Sequence, residues 1–163
     1  MKAVVAALAL LAAERAQDGG AAAQGSRVRI TVRAIAATSG ADWIDPRLAP
    51  IAQNLAKFAE DFRWRNFRLA SEQSLELAFQ TAAEMELPGS RSLQVTPRQM
   101  DPDGRIQVHL ELLGEHPAHT RKLHTDYTIP RGGTIFVAGL RLDPKKPEAG
   151  TLLVAITQGM GGD

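Results

Sequence analysis

The sequence predicts an α+β fold: a mostly antiparallel, sandwich-like sheet with one amphipathic helix packed on a face. Three observations carry that prediction. Apolar residues recur at helical spacing in one stretch, Pro50 to Phe62, where Ile51, Leu55, Phe58 and Phe62 continue a stripe begun by Leu48. From Phe67 onward the apolar period is two. The breaks between alternating runs are short and rich in Gly, Pro and Asp, and most are too short for the crossover that parallel neighbours need.

Met1–Lys2 followed by the apolar run Ala3 to Ala13 has the plan of a secretory signal, and the run is shorter than the roughly 18–20 residues that span a bilayer. Ala21-Ala22-Ala23 suits cleavage after Ala23, with Ala16 as an alternative; an ordinary Ala-rich helix is the competing reading. Residues 1–23 are therefore expected to be a signal peptide, 24–26 a flexible leader, 27–158 a single domain and 159–163 a flexible tail. The mature chain is expected to have no transmembrane segment, which places the protein in the periplasm or outside the cell.

Arg27 to Ala37 alternates, with Val28, Ile30, Val32, Ala34 and Ala36 on one side and Arg27, Arg29, Thr31 and Arg33 on the other, as a half-buried strand would. Asp45 is a good N-cap and Pro46 fits the first helical position. Pro50 disfavours helix at Ala49, so a turn over 45–49 should precede a regular helix from Pro50. Phe67, Leu69, Leu75, Leu77 and Phe79 share one parity, but Ser71 and Gln73 are polar, and a bulge or loop is expected near Ser71 to Ser74. Met85 and Leu87 form a short strand that turns at Pro88-Gly89-Ser90-Arg91. Leu93 and Val95 follow, and Pro97 predicts an edge strand or its end. Asp101-Pro102-Asp103-Gly104 is a tight turn into the strand of Ile106, Val108, Leu110 and Leu112. Gly114 to Arg121 is a polar loop. Leu123, Thr125, Tyr127 and Ile129 line another strand, which turns at Pro130 to Gly133. The runs Ile135 to Ala138 and Leu152 to Ile156 are continuously apolar, so both are expected at the sheet centre, with a charged loop over 143–150.

Composition narrows the function classes. The 163 residues carry 19 Lys+Arg against 18 Asp+Glu, a net charge of +1, so no global field selects nucleic acid or an anionic membrane. The absence of cysteine removes disulfides, thiolate metal sites, cysteine nucleophiles and a lipid-modified N-terminal cysteine. No serine has a nucleophile-elbow context, and no Gly-rich loop leads into a helix to cradle phosphate. No catalytic residue and no cofactor is therefore expected.

Two runs near the C-terminus, Asp126 to Leu140 with its Pro130-Arg131-Gly132-Gly133-Thr134 centre and Gly150 to Thr157 ending in Ile156-Thr157, resemble the last strands of bacterial secretins. The whole mature chain is also similar to short exported proteins of uncharacterised function from Gram-negative bacteria, whose pattern begins with a helix. The shared features are Phe67-Arg68-Leu69, Leu87-Pro88-Gly89-Ser90-Arg91-Ser92-Leu93 and Gly132-Gly133-Thr134. That resemblance implies an envelope location and brings no catalytic residue.

Two constellations could carry binding. Arg27, Arg29 and Arg33 share the polar side of the first strand, and Arg63, Trp64, Arg65 and Arg68 follow the helix. If the segments adjoin, they would hold a phosphate or carboxylate polymer of the envelope; a solvated strand face with Arg stems over apolar surface is the competing reading. Glu115-His116-Pro117-Ala118-His119, followed by His124 and Asp126, contains zinc- or copper-ligand types. Pro117 opposes a helix there and the His-Glu-x-x-His order is absent, so a solvated loop is the competing reading. Asp101 and Asp103 lack the further ligands of a calcium loop and read as a turn. The expected function is a non-enzymatic envelope binding or assembly module, accessory to a secretion or pilus system, with an envelope protein or an anionic envelope polymer as partner. The alternative is a metal-binding protein or metal-dependent hydrolase using His116, His119 and His124.

Overall fold

The computed structural model describes residues 27–114, 121–143 and 145–159. The expected signal peptide and leader, and residues 160–163 of the expected tail, lie outside them. Chain order is β1 (Arg27–Thr38), β2 (Trp43–Ile44), a 3-10 turn (Pro46–Ile51), α1 (Ala52–Ala59), β3 (Asn66–Ala78), β4 (Ala83–Leu87), β5 (Arg91–Met100), β6 (Ile106–Leu113), β7 (Arg121–Ile129), β8 (Thr134–Asp143) and β9 (Lys146–Gln158). The strands form a five-stranded sheet, β2-β3-β1-β9-β8, and a four-stranded sheet, β4-β5-β6-β7. Every pairing is antiparallel except β2 with β3.

The α+β class is as the periodicities require, and the helix adds a third layer. Val28, Ile30 and Val32 of β1 and Leu152, Val154 and Ile156 of β9 pack across to Leu93 and Val95 of β5 and the apolar side of β6. The opposite face of the five-stranded sheet, at Ile35, Ala37, Leu153 and Ala155, is covered by Leu48, Ile51, Leu55 and Ala59. Leu48, Ile51 and Leu55 are fully buried, each contributing about 1.5–3 kcal/mol. β1 is thus covered on both faces over its second half, where a half-buried strand was expected. β9 is central as predicted. β8 is an edge strand with half-buried side chains, so its continuous apolar run did not mean central placement.

The helix is shorter than the apolar stripe. Asp45 caps the first turn by accepting from the Arg47 N–H, and Pro46 opens it. The turn stays 3-10 through Pro50 and becomes α-helical at Ala52, because Pro50 removes a backbone donor. The helix ends at Ala59, leaving Phe62 outside it and 37% exposed.

β3 is continuous, and its bulge falls between Leu69 and Ser71. That extra residue switches parity: Phe67 and Leu69 face the helix, whereas Leu77 faces the other sheet. The polar stretch remains a strand because β1 pairs with it side chain by side chain. Arg29 meets Glu76 at 3.1 Å, Thr31 meets Ser74 at 2.7 Å and Arg33 meets Glu72 at 2.8 Å. Pro97 neither ends β5 nor sits at the sheet edge proper. It lies at a bulge just past Val95, the last residue of β5 paired with β4, so the missing donor falls where that neighbour has run out. The 143–150 segment is mostly strand, with Asp143 opposite Lys146 across a tight turn.

Candidate functional site

The outer face of the four-stranded sheet is polar, and strand alternation makes it so. On β6, Val108, Leu110 and Leu112 point into the core, so Gln107, His109 and Glu111 point out. Antiparallel register then lays the polar side chains in rows. Gln94, Glu111 and His124 form one row across β5, β6 and β7, and Thr96, His109 and Asp126 form the next. With Gln80, Arg98, Gln107 and Thr128 they line a hollow of about 690 Å³.

At its centre His109 is 9% exposed and held from both sides. Its Nδ1 lies 2.7 Å from Asp126 Oδ1 and its Nε2 lies 3.3 Å from Glu111 Oε1. The same Glu111 oxygen lies 3.1 Å from Nδ1 of His124. The two imidazole rings meet edge to face with centroids 4.4 Å apart. One ligand atom from each of His109, Glu111 and His124 lies within 4.8 Å of the others.

Of the histidines singled out in the sequence, His124 belongs to this cluster; His116 and His119 lie outside the described residues. His109 and Glu111 were missed. Their signal is spacing: His109-x-Glu111 and His124-x-Asp126 each place two ligating side chains on one face of a strand, and β6 and β7 pair side by side.

The arginine set is dispersed. Arg27 begins β1, and Arg65 bonds to Thr38 at its other end, about 35 Å away at the usual strand rise. Arg29 and Arg33 are taken up by Glu76 and Glu72, and the Arg33 side chain is only 10% exposed. Arg68, opposite Ala36, points away from the helix, on the face opposite to that of Arg33. Arg63 is exposed beside Trp64. Trp64 is half-buried and stacks on Phe62 at 4.7 Å. Trp64 and Arg65 do share a smaller hollow of about 330 Å³ with Asp42, Trp43 and Ala56. Asp101 and Asp103 belong to the turn alone: the Gly104 N–H donates to Asp101 O at 2.9 Å.

Among the described residues, no helix is long and apolar enough to cross a membrane. Comparison with protein-family models, with curated proteins and with solved structures finds no match for this chain.

Proposed function

We propose that this chain is a non-enzymatic binding module of the cell envelope, accessory to a secretion or pilus system, and that it meets its partner on the outer face of the four-stranded sheet. The observation that supports this reading is the polar hollow of about 690 Å³. One face of that sheet builds the core, and the other presents amides, hydroxyls and Arg98 in fixed rows. Such a surface suits a polar segment of an envelope protein, taken up through hydrogen bonds. The paired state of Arg29 and Arg33 makes an anionic polymer on the first strand the weaker choice. The export-like start of the sequence supports the envelope location.

Site-specific photocrosslinking in living cells tests the reading. A photoreactive side chain at Gln94, inside the hollow, should give one envelope-protein adduct. The same group at Arg63, beside the helix, should not. Recovery of the chain in the cytosol, or identical adduct patterns from both positions, would overturn it.

A further inference from the structure

We propose that His109, Glu111 and His124 form a binding site for a divalent first-row transition cation, with zinc as the reference ion. The argument starts from distances. A tetrahedral zinc with bonds of about 2.0–2.1 Å has ligand atoms about 3.3 Å apart. Glu111 Oε1 stands 3.3 Å from His109 Nε2 and 3.1 Å from His124 Nδ1, so two edges of that tetrahedron are already in place. Two imidazoles and a carboxylate are a donor set that zinc accepts, and three protein ligands leave a fourth position for water or a bound group.

Proton placement points the same way. Asp126 Oδ1, 2.7 Å from His109 Nδ1, takes a hydrogen bond from that nitrogen and fixes the proton there. The lone pair of Nε2 then faces the Glu111 carboxylate, and His124 Nδ1 faces it from the other side. A dication placed among these three atoms would be held by the carboxylate charge and by one nitrogen of each ring, whose centroids lie 4.4 Å apart. Asp126 acts as the outer carboxylate that orients a ligating histidine. The four residues stand on adjacent strands in direct register, so the geometry is held by the sheet and not by a loop.

The site does not rest on the partner proposed for the hollow: metal uptake needs no partner, and crosslinking can fail while uptake succeeds. The test uses the full chain without a histidine tag, stripped with chelator and titrated with zinc, with cobalt as a spectroscopic substitute. The expected result is one zinc per chain by elemental analysis and a tetrahedral cobalt spectrum in the visible. His124→Ala, at an exposed position, should abolish the cobalt bands while leaving circular dichroism unchanged. Asp126→Asn should weaken zinc affinity about 10–100-fold. Absence of stoichiometric uptake would overturn the site. So would uptake that survives both His109→Ala and His124→Ala, including uptake lost only in His116→Ala, which would place the ion at His116 instead.

Discussion

The Asp45 carboxylate accepts the backbone N–H of Leu69 at 3.0 Å, and the carbonyl of the same Leu69 accepts from Arg47 at 3.2 Å. Short β2 pairs only with Asn66 and Phe67, and the Asp45 N–H then donates to Phe67 O at 2.9 Å. Beyond that point an ion pair replaces the missing strand, since Arg47 also meets Asp45 at 2.7 Å. The helix start is thereby tied to β3 next to its bulge.

This brace predicts acid sensitivity. Hydrogen bonds from the Arg47 guanidinium hold the Asp45 carboxyl well below the usual carboxylate range; burial pulls the other way, and the N–H groups of Arg47 and Leu69 reinforce the lowering. A carboxyl depressed in the folded state stabilises the protein fully above its unfolded value, about pH 4, and loses that contribution as pH falls toward the folded value. Thermal melts of the wild type should therefore decline below about pH 4. Asp45→Asn should melt lower than wild type at neutral pH and decline less on acidification. Parallel acid profiles for the two proteins would show that the brace does not carry the effect.

Arg91 links the two sheets. It sits at the start of β5, is buried, and donates to the carbonyls of Arg141 and Leu142 on β8 at 2.7 and 2.9 Å and to Pro88 O at 3.0 Å. Truncation removes three hydrogen bonds from a buried charged group to part-buried carbonyls, so Arg91→Ala should cost about 2–3 kcal/mol in urea unfolding. Arg91→Lys should recover less than half of that loss, because one ammonium cannot span the set that the planar fork reaches. A loss below about 0.5 kcal/mol, the usual range for a surface substitution, would mean that water replaces the guanidinium at no cost.

The apolar stripe contains two kinds of residue that sequence spacing does not separate. Leu55 is sealed between α1 and the sheet, whereas Phe62 lies past the helix end and stacks on Trp64 at 4.7 Å. Leu55→Ala should cost about 2–5 kcal/mol, and Leu55→Asp should prevent folding. Phe62→Ala should cost about 1 kcal/mol, the worth of an exposed aromatic stack. Chemical denaturation of the three variants distinguishes them, and equal losses for Leu55→Ala and Phe62→Ala would contradict the observed end of the helix.

Period and turn chemistry made most of the strands legible, and the Pro50 reasoning placed the helix start within two residues. Strand order was not legible. A continuous apolar run says that both faces avoid water, and on β8 half-buried packing at an edge satisfies that as well as a central position would. Parity through β3 was not legible either, because one bulged residue inverts every face beyond it. The candidate site escaped for a related reason. His116 and His119 draw attention as neighbours in sequence, but the ligating group is assembled from every second residue of two strands. His109 joins Asp126, and Glu111 joins His124, only once the register of β6 on β7 is known.

That register dependence extends to the seam of the larger sheet, where β9 enters beside the end of β1. Gly150 has φ of +112°, and a Cβ there would lie 2.8 Å from Ala37 O and 2.7 Å from Thr38 Cγ2. Neither obstacle can yield without moving β1, since one is backbone and the other a β-branched side chain at a strand end. Backbone strain and overpacking each cost about 1–3 kcal/mol, so Gly150→Ala should destabilise by about 3 kcal/mol. Gly40, in the exposed turn after β1, gives the contrast: an added Cβ meets only Thr38 Oγ1, at an ordinary 3.8 Å. Gly40→Ala should be neutral, or stabilise by about 0.4–1 kcal/mol through the unfolded chain. Paired urea titrations decide the matter: if both substitutions shift the midpoint alike, β9 does not approach β1 as closely as Gly150 requires.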